Sequence, residues 1–153
     1  MEKSRLTVQD LKRFSNPDED TIHCPTPSYV ANSCMDYYAA VTNYPMIVLD
    51  VVSAFVHAHE KEIMTFLEAP DEWKAMQSGM DDLVWQLVQS LYGKRTAGAN
   101  FREFWEAIMC SVPNHNYVRG DVEPCLYHSE SHHVNLLHHV DDGRVCGPQN
   151  ALN

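Results

Sequence analysis

The spacing of apolar and polar positions in the first third of the chain predicts one short strand and one helix. Residues 3–9 alternate weakly, which predicts a strand. Residues 16–27 are rich in Pro, Asp and Thr, which is typical of a loop. Ser28 then stands where a helix N-cap is expected, and Pro45 ends the region. The helix between them has apolar positions at helical spacing, namely Val30, Cys34, Tyr37, Tyr38 and Val41.

The middle of the chain has shorter apolar runs, and their pattern favours strands. Residues 46–52 read MIVLDVV, and their length and β-branched content predict a buried strand. Residues 54–59 fit a helical turn. Residues 62–68 predict a second strand that Pro70 stops, and residues 71–82 form a polar connection.

A second helix follows another strand-like run at residues 84–92. Thr96 opens this helix and Pro113 closes it. Its apolar face repeats with a period of 3.6 residues, which is typical of a helix packed on a core. That face consists of Phe101, Phe104, Trp105, Ile108 and Met109.

The end of the chain has the pattern of a β-hairpin with an acidic tip. Residues 134–140 and 144–146 are the predicted strands, and Asp141, Asp142 and Gly143 lie between them. Helices and strands therefore mix along the chain, which predicts an α+β fold. We expect a mixed β-sheet, two main packed helices and the acidic hairpin.

Composition restricts the class of protein. An apolar content of 44% in 153 residues suits one globular domain, or part of a larger one, with a real core. No stretch could cross a bilayer and the polar N-terminus has no signal-peptide core, so a cytosolic or nuclear setting is the default. The five cysteines include no C-x-x-C pair, and we interpret them as free thiols. The net charge of −10 argues against a general nucleic-acid binder.

Three acids stand where a fold normally avoids negative charge. Asp50 lies inside the apolar run, and an ionised carboxylate on a buried strand is costly unless a positive charge meets it. Asp141 and Asp142 are adjacent, and a divalent cation is one way to relieve their repulsion. If the three meet in space, their oxygens suit Mg²⁺ and the chemistry of phosphoryl transfer.

Ordinary structural roles are the alternative for each of these acids. Asp and Gly favour turns, so Asp141, Asp142 and Gly143 also fit simple turn chemistry. Asp50 alone could cap an element or form a salt bridge. The sequence motifs around the acids therefore decide between a metal site and these structural roles.

Those motifs resemble motifs of the reverse transcriptases of Ty1/copia-type retrotransposons. Residues 49–73 resemble the first catalytic block of that family, with an Asp, an Ala-Phe pair and an acidic stretch leading to a Pro. Residues 84–105 are similar to its Leu-Tyr-Gly block and the helix that follows. Residues 122–128, VEPCLYH, and 139–147, HVDDGRVCG, are similar to its last two blocks. Residues 3–10 match a fingers strand more weakly.

The resemblance implies a partial fingers–palm polymerase domain. Residues 1–45 would be fingers-like and residues 46–153 mainly palm-like, in one domain without thumb, RNase H or integrase. The implied activity is that of an RNA-directed DNA polymerase, a nucleotidyltransferase that acts within a Pol polyprotein. The implied partners are a primed RNA or DNA template, deoxynucleoside triphosphates and the rest of the polyprotein, without a membrane. We expect the isolated fragment to be inactive.

The resemblance also implies a metal site. Asp50, Asp141 and Asp142 would be the catalytic carboxylates that bind the metal, and the Val51 carbonyl would be a further ligand. The implied cofactor is Mg²⁺, with Mn²⁺ as the alternative.

A nucleotide pocket is implied beside that site. Phe55 would lie under the sugar and exclude a 2′-hydroxyl, although simple core packing explains an aromatic residue there equally well. Tyr92 and Gly93 would line the pocket. Lys3 and Arg5 would contact the triphosphate, with exposed solvated charge as the alternative.

The chain has one local basic cluster that would face template or phosphate, although a solvated surface is the ordinary alternative. It consists of Lys94, Arg95 and Arg102. The sequence departs from the family pattern nearby, because Lys94 stands where an apolar residue is common and Gly98 where Pro is common. Ala69 replaces a common Pro, and His139 stands where the signature usually has Tyr.

Nine histidines invite a zinc interpretation. Four of them cluster near the hairpin, and His57 and His59 alternate near Asp50. Zinc sites usually show tighter Cys/His spacing, and adjacent His pairs on a strand point to opposite faces, so surface or half-buried roles are favoured. The four near the hairpin are His132, His133, His138 and His139.

Three hypotheses of different classes remain open on the sequence alone. The chain is a polymerase module within a longer polyprotein, a remnant of an element without catalysis, or a small acidic protein-binding module that reuses the palm sheet.

Overall fold

A computed structural model describes most of the chain. The residues it describes are 6–10, 22–61, 65–77, 84–111, 113 and 116–152. Residues 6–9 have no regular secondary structure, so this part of the strand predicted at residues 3–9 does not form. The rest of that strand, with Lys3 and Arg5, lies outside the described residues.

Helix α1 spans Tyr29–Thr42 and begins after the predicted N-cap. The Ser28 hydroxyl oxygen accepts a hydrogen bond from the Ala31 backbone N–H at 3.0 Å. That bond satisfies one of the amide groups that the first turn of a helix leaves without a partner. Asn43 then adopts a left-handed conformation with a φ of 55°, which ends the helix. The helix predicted between Ser28 and Pro45 is therefore confirmed.

Two more α-helices follow, and one of them was not expected from the pattern. Helix α3 spans Ala97–Ser111, which confirms the helix predicted to open at Thr96. Helix α2 spans Asp71–Met76, where the sequence predicts a polar connection, so that prediction is wrong. Six residues are too few to show a helical period, but Pro70 precedes them and the first turn is acidic. Acidic residues in a first turn interact favourably with the helix dipole.

An antiparallel sheet consists of the five strands β1 (Met46–Asp50), β4 (Val118–Arg119), β5 (Leu126–Ser129), β6 (Val134–His139) and β7 (Asp142–Cys146). Their order in the sheet is β1-β7-β6-β5-β4. Each strand pairing in the described residues is antiparallel, so the parallel pairs of the expected mixed sheet do not occur there. The α+β class is confirmed, as are the acidic hairpin and the two main helices.

Strand β1 lies at the edge of this sheet and is not the buried strand that its apolar run predicts. Among the described residues only β7 pairs with it, and the side chain of Val48 is 75% exposed. Asp50 is the last residue of the strand and is exposed. Its charge therefore avoids the cost of burial because water reaches it, and no positive partner is needed.

A second, two-stranded sheet joins β2 (Phe66–Glu68) and β3 (Val84–Gln86). Both strands are shorter than the predicted runs, and residues 62–64 lie outside the described residues. Trp73 of α2 packs edge-on against Trp85 of β3, with ring centroids 5.3 Å apart. A 3₁₀-helix at Ala54–His57 confirms the helical turn expected between the two sheets.

The five-stranded sheet has a separate apolar cluster on each face. Met35 of α1 packs with Leu137 and Cys146 on one face. Phe101 of α3 packs with Ala54 and Ala58 of the 3₁₀ region on the other face. Because successive strand residues point to opposite faces, neighbouring positions of one strand serve different clusters. The result is three layers: α1, the sheet, and α3. Among the described residues no helix is long and apolar enough to cross a bilayer.

Replacing Phe101 should show how much the α3 cluster contributes to stability. The side chain is fully buried, so Phe101→Ala should lower the free energy of unfolding by about 3–5 kcal/mol. Phe66 is 51% exposed, and Phe66→Ala should cost less than about 1 kcal/mol. Urea unfolding measures both values. Equal losses for the two variants would contradict the assignment of Phe101 to the core.

Candidate metal and nucleotide site

Asp50 and Asp142 face each other at the end of the β1–β7 ladder. They are partners in the antiparallel register, and the next pair, Val51 and Asp141, is joined by a 2.7 Å hydrogen bond from the Val51 N–H to the Asp141 carbonyl. Antiparallel ladders alternate between hydrogen-bonded and non-hydrogen-bonded pairs. Asp50 and Asp142 therefore occupy a non-hydrogen-bonded pair, in which side chains approach most closely. Both acids are exposed to solvent.

A tight turn joins β6 to β7 and fixes the position of Asp142. His139 pairs with Asp142, so the loop consists of Val140 and Asp141 alone. Val140 has a φ of 53°, and Asp141 is not among the positive-φ residues, which is the sign pattern of a type II′ hairpin turn. A β-branched residue rarely adopts a positive φ, and such strain costs about 1–3 kcal/mol. The acidic tip is therefore one residue earlier than predicted, and Gly143 belongs to β7.

Asp141 lies beside the facing pair but in the turn. The carboxylate of Asp141 interacts electrostatically with His138, whose ring stacks on Trp105 of α3. The structure thus brings Asp50 and Asp142 together and places Asp141 next to them on the α3 side.

The donor set fits a divalent cation through two carboxylates. Mg²⁺ is commonly held by one or two protein carboxylates and fills its other positions with water and substrate phosphates. Two facing, exposed acids meet that requirement, and a bound cation would relieve their repulsion. Within the described ranges, no group of three or more His, Cys, Asp or Glu side chains is arranged to hold a metal ion. The three-acid site, and the Val51 carbonyl as a ligand, stay predictions.

The residues predicted to line a nucleotide pocket are neighbours in the structure. The ring of Phe55 packs edge-on against Tyr92, with centroids 4.8 Å apart, and against Phe101 at 6.4 Å. Phe55 is half-buried, so core packing and a pocket wall are both consistent with its position.

Gly93 lies where another segment of backbone approaches closely. It has a φ of 89°, and a Cβ there would lie 2.0 Å from the Val8 carbonyl oxygen. The Val8 N–H also donates a 2.7 Å hydrogen bond to the Tyr92 carbonyl. Glycine is therefore required both by conformation and by space.

Lys94 is buried, although the sequence predicts that it faces template. Its ammonium group donates to the Thr65 hydroxyl at 3.1 Å and lies 3.9 Å from a carboxylate oxygen of Glu60, which is itself fully buried. Asn100 of α3 donates to Ser90 at 2.9 Å in the same polar cluster. This geometry favours a structural role. The sequence contained a sign of this burial, because Lys94 stands where the similar family commonly has an apolar residue. A lysine at a buried position needs a polar or acidic partner.

The two arginines of the basic cluster differ in their surroundings. The backbone N–H of Arg95 donates a hydrogen bond to a carboxylate oxygen of Asp10 at 3.1 Å. The Arg102 side chain is 24% exposed, with its guanidinium 3.9 Å from Glu103. Neither contact tests the predicted role at template or phosphate.

The histidines have separate local environments. The ring of His57 stacks on Phe104 at 6.4 Å, and its Nε2 lies 3.1 Å from the Val52 carbonyl oxygen. The Nδ1 of His139 donates to the Pro25 carbonyl at 3.0 Å. His138 is 7% exposed, and desolvation by burial lowers the pKa of its imidazole to about 4. Sequence reasoning did not separate His138 from the others, because burial of one member of an adjacent pair depends on the strand register.

Comparison with known proteins gives one family and one curated relative. The family model described as reverse transcriptase (RNA-dependent DNA polymerase) matches residues 1–150. The chain is 29% identical over 154 residues to the retrovirus-related Pol polyprotein from transposon TNT 1-94 of Nicotiana tabacum. That match covers 98% of this chain and 11% of the relative. No solved structure matches the chain.

The facing acids should destabilise the protein when no cation is present. Like charges directly opposite in a sheet are unfavourable, so Asp142→Asn should raise the free energy of unfolding in chelator by about 0.2–1 kcal/mol. Asp50→Asn should do the same, and the double variant should gain little more, because one substitution already removes the repulsion. Urea unfolding is the measurement, with the exposed Asp121→Asn as the neutral control. Additive gains would show that the carboxylates do not interact.

Acid should destabilise the protein through His138. Its folded pKa lies below the ordinary value of 6.5, so the unfolded state binds the proton more readily between about pH 6.5 and pH 4. Stability should fall as the pH drops through that window, by at most about 1.4 kcal/mol per pH unit. His138→Gln should remove this loss, while the exposed His23→Gln should keep it. Urea unfolding at pH 7 and pH 4.5 tests the difference, and identical pH profiles for both variants would contradict it.

Proposed function

Because the chain belongs to the reverse transcriptase (RNA-dependent DNA polymerase) family, we propose that it carries the metal-binding carboxylates of an RNA-directed DNA polymerase. The single observation that supports this most is the register that sets Asp50 opposite Asp142. The chain spans 11% of the length of its curated relative, so activity, substrates and partners of the whole protein are part of the proposal.

In the proposed reaction a primer 3′-hydroxyl gives up its proton to solvent and attacks the α-phosphorus of a deoxynucleoside triphosphate. The new P–O bond forms as the bond from the α-phosphorus to the bridging oxygen breaks, and pyrophosphate leaves. Asp50 and Asp142 would hold Mg²⁺ or Mn²⁺, with Asp141 and the Val51 carbonyl as further ligands. Two divalent cations bound there supply activation of the attacking oxygen and charge stabilisation of the leaving oxygen. The carboxylates position the cations and are not nucleophiles. Their exposure to solvent leaves the facing pair accessible to a triphosphate.

Phe55, Tyr92 and Gly93 would form the wall of the nucleotide pocket. The Phe55 ring packs edge-on against Tyr92, and this contact would restrict the orientation of the ring. A fixed ring beneath the sugar would exclude a 2′-hydroxyl and so favour deoxynucleotides. Lys3 and Arg5 would contact the triphosphate, and Arg95 and Arg102 would face template or phosphate. Lys94 would support these residues from the buried cluster.

A catalytically inactive remnant or an acidic protein-binding module is the second candidate function. Two observations favour it. The net charge of −10 opposes binding to phosphates, and one of the three cations of the basic cluster, Lys94, is buried.

Nucleotide binding tests the proposal on the chain itself. Isothermal titration with dATP should show binding that requires Mg²⁺, because the carboxylates reach the phosphates through the cation. Asp50→Asn should weaken it at least tenfold, about 1.4 kcal/mol, while Asp121→Asn should leave it unchanged. Binding that persists without Mg²⁺, or that ignores Asp50→Asn, would refute the proposed site.

Primer extension separates the polymerase from the second candidate. Extension of a primed RNA template that is lost in Asp50→Asn would favour the polymerase. Magnesium-dependent dATP binding without extension is the result expected of the isolated fragment, and absence of both binding and extension would favour the second candidate.

A further inference from the structure

Helix α1 carries an apolar stripe that does not pack against its own sheet. Val30, Tyr37 and Val41 are 67%, 71% and 65% exposed, and Cys34 between them is also exposed. Their spacings of four, three and four residues are those of the a and d positions of a coiled coil, so the four side chains lie along one line of the helix. We call these four residues the α1 seam.

The α1 seam is separate from the contacts that hold α1 to the protein. Ala31, Met35 and Tyr38 pack on the sheet cluster, and at about 100° per residue they lie roughly 100° around the helix from the seam. On the other side, Asp36 forms an ion pair with Arg144 of β7. Neither set of contacts needs the seam, so its apolar character is left without a role inside the described chain.

An open groove of about 630 Å³ runs beside the seam. Val30 and Cys34 of the seam line it, together with Leu126 of β5 and Val122, which is 99% exposed. Glu123 is the one charged residue among those that line it, and no Lys or Arg does. A nucleic acid would need cations on this surface, so its chemistry favours an apolar protein segment.

We propose that the α1 seam is a self-association surface on which α1 of a second copy of this chain packs antiparallel. Spacings of four, three and four residues read the same in both directions, so a two-fold axis through the middle of the seam matches apolar with apolar at every level. Val30 then meets Val41 of the second copy, and the small Cys34 meets the large Tyr37.

Charge does not oppose this pairing locally. Among the residues of α1 only Asp36 is charged, and it points away from the seam towards Arg144. The repulsion between two copies of net charge −10 acts over longer distances and is screened by salt, with a Debye length of about 8 Å at physiological ionic strength. Association should therefore strengthen as salt rises, whereas binding of nucleic acid weakens.

The seam is short, so the expected dimer is weak. Fourteen residues make a helix about 21 Å long, which places a helix pair at the low end of interface sizes. Sedimentation equilibrium at protein concentrations up to the order of 1 mM covers the dissociation constants expected of so weak a dimer.

Two matched substitutions on one helix test the seam. Tyr37→Glu places a charge within the seam. Tyr29→Glu places the same charge about 110° around the helix from the middle of the seam, on a side chain that is 86% exposed. Wild type and Tyr29→Glu should dimerise, more strongly at higher salt. Tyr37→Glu should raise the dimer dissociation constant at least tenfold. A monomeric wild type over the whole range, or a dimer unaffected by Tyr37→Glu, overturns the proposal.

Cross-linking in the wild-type protein gives an independent readout if Tyr37→Glu does not fold. Cys34 and Cys110 are both exposed free thiols, so each is a control for the other. A short bis-maleimide should join two copies through Cys34, and Cys34→Ser should abolish that product while Cys110→Ser keeps it. The reverse result overturns the proposal. Salt-weakened binding of a DNA–RNA duplex that is lost in Tyr37→Glu also overturns it, because the surface would then bind nucleic acid.

Discussion

The pairing of β1 with β7 is the constraint on which the fold and the site both depend. Its register sets Met46 opposite Cys146 at one end and Asp50 opposite Asp142 at the other. A slip of one residue would move every side chain of β1 to the other face and would separate the acids. Met46 and Cys146 of the ladder pack in the α1 cluster, and Val51, which directly follows β1, packs in the α3 cluster. The register that builds the three layers therefore also builds the acidic pair.

Unfavourable local terms are concentrated at the β6–β7 turn. Val140 has a positive φ, Asp50 and Asp142 are like charges face to face, and His138 is a buried imidazole stacked 4.0 Å from Trp105. A positive φ at a β-branched residue and a buried imidazole are each unfavourable, and we expect the facing acids to be so as well. Packing on both faces of the sheet holds these groups in place. Strain and unfavourable charge that a fold tolerates together are typical of functional sites.

The sequence predicts the helices better than the sheets. Ser28 and the period of the apolar residues determine α1 and α3, because caps and periodicity are local. The edge position of β1 is not local, so its apolar run alone suggests burial that the sheet order does not provide. Helix α2 is too short to show a period. The four blocks that resemble reverse transcriptases identify the acids, but the register that pairs Asp50 with Asp142 depends on tertiary structure. Burial of Lys94 against Glu60 likewise depends on residues 34 positions apart.

The most direct test of the central claim, that Asp50 and Asp142 together hold a divalent cation, is paramagnetic broadening of amide signals by Mn²⁺ in nuclear magnetic resonance. At substoichiometric Mn²⁺ the amides of Val51 and Gly143, which follow the two acids, should broaden first, and Asp50→Asn should abolish the effect. Strongest broadening at another acidic site, such as the first turn of α2, would contradict the account.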